Sequence, residues 1–120
     1  MERIEFIQYK GNKILLEDIS NLGPCEEFNK SISKAKEIIA SQSPKSVLAL
    51  LDATNVHFNS EMISTMTEFV KANTPYIKSA TVVGIAGLLK IVLSTLSKVS
   101  GRDFHIFPTR EDAYEFLIKQ

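Results

Sequence analysis

The chain contains very few cysteine and histidine residues. Among its 120 residues there is one cysteine, and there are two histidines. The single Cys25 excludes an internal disulfide and any cysteine-rich metal site, and a lone thiol suits a reducing compartment. His57 and His105 have no partner at metal-ligand spacing. We therefore expect no metal, no other cofactor and an inert thiol.

An excess of charge of either sign is also absent. The 14 Lys and Arg residues balance the 14 Asp and Glu residues, so the formal net charge is zero. A neutral chain has no global field that would attract nucleic acid, an anionic membrane or an acidic substrate. We expect no nucleic-acid partner.

Long hydrophobic runs and a targeting segment are absent as well. The most apolar stretch, residues 85–99, is interrupted by Lys90 and is too short to span a bilayer. Residues 1–5 carry two glutamates where a secretory signal has an unbroken apolar stretch. The sequence therefore predicts a soluble, cytoplasmic protein with no membrane span.

Length and composition fit one globular unit. Hydrophobic residues make up 44% of the chain and charged residues 23%, which are ordinary fractions for a globular protein. A chain of this length buries enough surface for one core. We find no internal repeat, low-complexity tract or linker, so we predict one domain covering residues 1–120.

The N-terminal residues predict an antiparallel hairpin. Two short apolar-rich runs, residues 3–9 and 13–19, are separated by the sequence Lys10-Gly11-Asn12. Glycine and asparagine tolerate positive φ, which a tight hairpin turn requires. The second run is followed by Pro24, which suits the first turn of a helix.

Helical and strand patterns alternate through the rest of the chain. Unbroken apolar runs predict buried strands at 46–52 and 80–85, and a short last strand at 104–107. Apolar residues at helical spacing predict helices after Pro24, after Asn59, from about Gly87 to Val99, and after Thr109. The predicted order is ββαβαβαβα. This is an α/β fold with a mixed, mostly parallel sheet, helices packed on it, and the N-terminal strand as an antiparallel edge.

Three stretches resemble a known family. They are Tyr9-Lys10-Gly11-Asn12-Lys13, the segment from Leu51-Asp52-Ala53-Thr54 to Phe58-Asn59-Ser60-Glu61, and Val83-Gly84-Ile85-Ala86-Gly87-Leu88. Together with the element order they resemble the SpoIIAA-like (STAS) domains, the fold of bacterial anti-sigma-factor antagonists, and especially small stand-alone bacterial proteins of this type. The same fold class also resembles lipid-carrier domains of the CRAL-TRIO type.

The resemblance implies a regulatory site at the start of the helix that follows the central strand. In the antagonists a serine or threonine there is phosphorylated by a partner kinase, and Ser60 is the matching residue in this chain. Asn59 stands where the family usually has Asp, and Glu61-Met62 stand where it has Ser-Gly. From the residues themselves, a helix N-terminus favours an anion at Ser60, whereas the simpler interpretation is that Asn59 or Ser60 caps the helix.

The residues around this helix start form the candidate partner or ligand surface. They are Asp52, Thr54, His57, Asn59, Glu61, Gly84 and Gly87. Asp52 ends a central strand, where open α/β sheets bind ligands, but the local sequence favours a structural role in which its carboxylate accepts a hydrogen bond from the Thr54 or Asn55 amide. Gly84 to Gly87 suit either a phosphate-binding turn assisted by Lys90 or close packing of strand against helix.

No catalytic set is recognisable, so we expect a non-enzymatic module. The leading hypothesis is a regulatory or protein-interaction module of the antagonist type, switched at Ser60 and binding an anti-sigma-factor or kinase-like protein. A homodimer through the predicted third helix near Ile91 is a further possibility. The alternative hypothesis is a carrier or sensor for a small apolar or lipid-like ligand, for which Met62 and Met66 would provide an adaptable lining.

Overall fold

Five strands form one mixed sheet in which spatial order and sequence order are the same. The computed structural model describes residues 2–84, 93–94, 97–98 and 104–120. The strands are β1 (Ile4–Tyr9), β2 (Asn12–Asp18), β3 (Val47–Asp52), β4 (Ile77–Val83) and β5 (Phe104–Phe107). The helices whose ends both lie in the described residues are α1 (Glu26–Ala40), α2 (Ser60–Asn73), which a short 3-10 helix (Thr74–Tyr76) extends, and α3 (Arg110–Leu117).

The predicted sheet topology is confirmed. β1 pairs with β2 antiparallel and lies at the edge, while every other neighbouring pair is parallel. Parallel neighbours need crossovers through helices, which is why α1 and α2 lie between consecutive strands. The carboxyl ends of β2, β3 and β4 therefore meet at one edge of the sheet.

Three local predictions need correction. The positive φ angles of the hairpin belong to Lys10 and Gly11, not to Asn12, because a two-residue turn with both central residues at positive φ matches the twist of the strands. Pro24 lies before the extended Cys25, which is the N-cap of α1, and so outside the first helical turn. β4 begins at Ile77, earlier than predicted, because the 3-10 helix leads directly into the strand.

Some predictions concern residues outside the described part of the chain. The third predicted helix, from about Gly87 to Val99, is one of them, although Leu93, Ser94, Ser97 and Lys98 are described and are helical. The proposed contact at Ile91 and the role of Lys90 also lie outside it.

The two faces of the sheet carry separate cores. One face packs against α1 and α2 through residues that include Leu15, Ala49, Phe28 and Met66. The other packs against α3 through Ile14, Leu50, Val83, Ala113 and Leu117. Side chains alternate between faces along a strand, so β2 and β3, apolar on both faces, are buried from both sides. None of the helices among the described residues combines the length and apolar character that crossing a membrane demands.

Candidate functional site

Two carboxylates end neighbouring strands at the carboxyl edge of the sheet. Asp18 closes β2 and Asp52 closes β3, and the two are direct partners in the parallel register. Because side chains alternate, both belong to the face that α3 covers. The side chain of Asp52 is 8% exposed and that of Asp18 is 26% exposed. This edge is where ligands bind in open α/β sheets.

Each carboxylate organises the turn that follows it. Asp52 Oδ1 accepts hydrogen bonds from the Thr54 amide at 2.9 Å and from Thr54 Oγ1 at 2.6 Å. Asp18 Oδ1 accepts the corresponding bonds from the Ser20 amide at 3.0 Å and from Ser20 Oγ at 2.5 Å. The side chain of an aspartate thus holds the backbone two residues ahead, as it commonly does in turns. This is the structural role predicted for Asp52, with Thr54 as the donor.

The asparagines that follow complete a repeated geometry. Asn21 has φ +64° and Asn55 has φ +59°, a conformation that asparagine tolerates better than most residues. Asn55 Nδ2 donates to Asn21 Oδ1 at 3.0 Å. We call residues 18–21 and 52–55 the paired turns. The prediction of no internal repeat missed this Asp-x-Ser/Thr-Asn pattern because it is only four residues long.

Arg110, the first residue of α3, joins the two carboxylates. Its Nε donates to Asp52 Oδ2 at 2.7 Å, and its Nη2 lies 3.3 Å from Asp18 Oδ2. Burial lowers the pKa of Arg110, but the bonds to Asp52 and Asp18 outweigh burial and raise it. The guanidinium is therefore charged at every pH at which the protein folds, and it balances two carboxylates that would otherwise repel each other.

Arg3 supports the first turn from the other side. Its Nη1 donates to the carbonyl oxygens of Asp18 at 3.2 Å and Ser20 at 3.1 Å, and its Nε donates to Glu27 Oε2 at 3.0 Å. The first turn is thereby tied to the start of α1.

Gly84, at the end of β4, lets the second turn approach the sheet closely. It has φ +78°, and a Cβ atom at this position would lie 2.5 Å from Thr54 Cα and 2.6 Å from Thr54 N. Such distances are far below van der Waals contact. A glycine is therefore needed both for the backbone conformation and for the close approach of Thr54 to the end of β4.

The pKa of the Asp18 carboxyl gives a testable pH dependence. Burial raises this pKa, but the hydrogen bonds from Ser20 and the charge of Arg110 outweigh burial and hold the pKa below its ordinary value. A carboxyl with a lowered folded-state pKa stabilises the fold above its unfolded-state pKa, about 3.9, and the contribution is lost as the pH falls through the lower folded-state value. We expect wild type to lose on the order of 1 kcal/mol more than Asp18→Asn in this window, measured as unfolding free energy against pH. In Ser20→Ala the folded-state pKa is lowered less, so the loss should be smaller and complete at a higher pH; identical curves for all three proteins would contradict the assignment.

The loop between β3 and α2 presents the residues singled out by the family resemblance. Asn59 Oδ1 accepts the Met62 amide at 2.8 Å, so Asn59 is the N-cap of α2. Ser60 is the first helical residue and is exposed. Capping is therefore carried out by Asn59, and the Ser60 hydroxyl lies at the positive end of the helix dipole without that role.

His57 and Phe58 of the same loop are also attached to the body of the protein. The His57 amide donates to the Leu22 carbonyl at 3.2 Å, while the His57 side chain is exposed. Phe58 packs edge-on against Phe28 of α1, with ring centroids 6.4 Å apart and an interplanar angle of 87°. Exposed polar side chains are thus held on an anchored backbone.

The predicted surface residues are divided by the structure. Thr54, His57, Asn59, Ser60 and Glu61 are exposed and lie together along residues 54–61. Asp52 was predicted as part of this surface, but it is buried because both of its oxygens are used inside the protein. Its carboxylate holds Thr54, the first residue of this surface, through hydrogen bonds from inside the protein. Gly84 is exposed next to Thr54, and Gly87 is outside the described residues.

The residues considered for metal or thiol chemistry lie apart from this site. Among the described residues no group of three or more His, Cys, Asp and Glu side chains is arranged to hold a metal ion. The His105 ring stacks on Phe116 with centroids 4.4 Å apart. Cys25 is exposed at the start of α1.

Asp18 and Arg110 are the functional candidates that sequence reasoning missed. Arg110 was interpreted only as part of a helix start, and Asp18 only as part of a strand. The available signal was the pattern Asp-x-Ser/Thr-Asn after two successive strands, which predicts adjacent turns with parallel carboxylates. A cation to balance them is then expected, but nothing local identifies Arg110.

Comparison with known proteins identifies the fold. No family model matches the chain, and no curated protein is significantly similar to it in sequence. A solved structure of an uncharacterized DUF3478-family protein with a SpoIIAA-like fold, from Shewanella loihica, superposes with a TM-score of 0.74 at 15% sequence identity. The match covers 95% of this chain and 91% of that protein. The chain therefore has a SpoIIAA-like fold, as the sequence resemblance implied.

Proposed function

We propose that the chain is a non-enzymatic protein-interaction module and that its partner docks on residues 54–61, here called the docking surface. The observation that carries the proposal is the arrangement of this segment: exposed polar side chains stand on a loop fixed by Asp52 beneath it, by Leu22 and by Phe28. A rigid polar loop on a scaffold is a typical recognition element. The SpoIIAA-like fold supports the same interpretation, since in the antagonist family that the sequence resembles a partner kinase phosphorylates the residue that matches Ser60.

We further propose that negative charge at Ser60 releases the partner. The hydroxyl is exposed, and Asn59 rather than Ser60 caps the helix. A phosphate here would be stabilised by the free N–H groups and the dipole of the helix end, while Glu61 beside it adds to the negative charge of the surface. The fold would therefore tolerate the phosphate, and a partner fitted to the unphosphorylated surface would not.

A charge substitution tests this proposal directly. Ser60→Glu should abolish binding of the partner recovered with the wild-type protein, whereas Ser60→Ala should bind as wild type. Ser43→Glu is the matched control, because Ser43 is exposed and precedes β3 at the opposite edge of the sheet. The partner is identified by mass spectrometry after capture, and its affinity is then measured with purified components.

The stability of the variants separates binding from folding. We expect Ser60→Glu to unfold within about 0.5 kcal/mol of wild type, since the Asn59 cap is retained and a glutamate suits the first turn of a helix. If Ser60→Glu, Ser43→Glu and wild type bind the same partner equally, the docking surface does not include Ser60 and the switch is wrong.

The carrier hypothesis is left as a prediction from the sequence. Met62 and Met66, its suggested lining, are 3% and 6% exposed and are part of the core beneath α2. Both side chains pack against other core residues, so no contact among the described residues favours a ligand between α2 and the sheet.

A further inference from the structure

The paired turns have the same geometry, but the docking surface, residues 54–61, includes residues of the second turn only. Asp18 and Asp52 are direct register partners, and each holds the amide and hydroxyl of the residue two positions later. The asparagine that follows each of those residues has positive φ. The first turn therefore presents Asn21 beside the second turn in the same orientation of the backbone.

Hydrogen bonds beyond the ends of the strands unite the paired turns. The Ile19 amide donates to the Asp52 carbonyl at 3.0 Å, and the Asn21 amide donates to the Thr54 carbonyl at 2.9 Å. Asn55 Nδ2 adds its bond to Asn21 Oδ1 at 3.0 Å. Because these bonds cross between the turns, movement of one turn displaces the other.

Arg110 holds the pair from the α3 side. Its guanidinium reaches one carboxylate of each turn, at 2.7 Å to Asp52 and 3.3 Å to Asp18. A planar guanidinium offers several donors in fixed directions, so it sets the separation of the two carboxylates in a way that a lysine ammonium does not.

The exposed side of the paired turns is polar and uncharged. Asn21, Thr54 and Asn55 are all exposed, and they offer amide and hydroxyl groups. The two cations described at this edge, Arg3 and Arg110, are bound to carboxylates. Amides that donate and accept suit the peptide groups of a protein, and a phosphate backbone would need cations that are available to it.

We propose that the docking surface extends across both paired turns, so that Asn21 contacts the partner, and that Arg110 is the positioning residue that keeps the two turns in one arrangement. The partner segment is one that offers peptide N–H and C=O groups. This inference rests on the proposed function, because it extends the same surface.

The positioning role is tested on the free protein, without a partner. Heteronuclear NMR of Arg110→Gln should shift the amide resonances of Ser20 and Thr54 together, because both donate to carboxylates that Arg110 holds. Glu115→Gln is the matched control: Glu115 ties the same helix to Tyr9 and Lys10 and does not touch the turns, so those two resonances should not move.

A conservative variant keeps this test decisive if Arg110→Gln does not fold. Arg110→Lys keeps the positive charge but lacks the planar set of donors, so the Ser20 and Thr54 resonances should still shift together relative to wild type. Shifts confined to α3, or equal shifts in the Glu115→Gln control, would overturn the positioning role.

The extension of the surface is tested with the partner recovered through wild type. Asn21→Gly keeps the positive φ but removes the side-chain amide and with it the bond from Asn55, so it should weaken the affinity about fivefold or more, the effect of at least one lost hydrogen bond. Lys45→Gly is the control, because Lys45 is exposed with φ +55° before β3, at the opposite edge of the sheet, and it should bind as wild type.

The outcomes separate this inference from the proposed function. If Ser60→Glu releases the partner while Asn21→Gly binds as wild type, the docking surface stands and its extension is wrong. If Ser60→Glu does not release the partner but Asn21→Gly weakens binding, the switch fails and the extended surface stands.

Discussion

Gly84→Ala should lower the free energy of unfolding by about 3 kcal/mol or more, measured by chemical denaturation. A side chain at φ +78° costs about 1 kcal/mol by itself. The larger part of the lost unfolding free energy arises because the new Cβ would lie 2.5 Å from Thr54 Cα. The second turn must therefore move away from the sheet. That movement pulls Thr54 from Asp52 and leaves a buried carboxylate oxygen without its two donors.

Gly11→Ala is the matched control for this expectation. Gly11 has φ +81°, close to that of Gly84, but a Cβ there would meet nothing within 4 Å. Its cost should therefore be the conformational part alone, about 1 kcal/mol. Equal losses in the two variants would show that the approach of Thr54 contributes nothing, and the account of the second turn would have to be abandoned.

Gly84→Ala and Gly11→Ala should also differ in partner binding. Because Thr54 begins the docking surface, displacing it should weaken partner binding in Gly84→Ala even under conditions where the protein is fully folded. Gly11 lies in the hairpin turn between β1 and β2, at the opposite edge of the sheet, so Gly11→Ala should bind as wild type.

Features with a local cause could be predicted from the sequence. The unbroken apolar run at β3 predicts a strand buried on both faces, and the alternation of strands and helices predicts a mostly parallel sheet. The bond from the Thr54 amide to Asp52 spans two residues, and the cap at Asn59 spans three. Interactions over such short separations follow from the order of residue types alone.

The parts that were missed depend on residues far apart in the chain. Arg110 and Asp52 are 58 positions apart, and Asp18 joins them only because β2 and β3 are neighbours in register. Whether a strand-end aspartate faces solvent or an arginine depends on which helix covers that end. Asp52 was for this reason predicted on the surface, although the structure places its carboxylate beneath it.

Phe28→Ala should cost about 3–5 kcal/mol of unfolding free energy, the range for removing a buried phenylalanine. Phe28 is 1% exposed and lies in the first turn of α1, where it packs against the core and against Phe58 of the docking loop. The loss in stability is the sum of two terms: the free energy of transferring the ring from water into the core, and the cost of the cavity that remains. Phe28→Leu should cost clearly less, since leucine fills most of that cavity.

The contact with Phe58 should be visible as a coupling between the two positions. In a double-mutant cycle built from Phe28→Leu and Phe58→Leu, an edge-to-face pair contributes about 0.5–1.5 kcal/mol beyond the area it buries. If the two losses simply add, Phe28 supports the core and does not anchor the loop. A positive coupling would instead connect α1 to the docking surface, and partner affinity should then fall in Phe28→Leu although the buried Phe28 ring does not contact the partner directly.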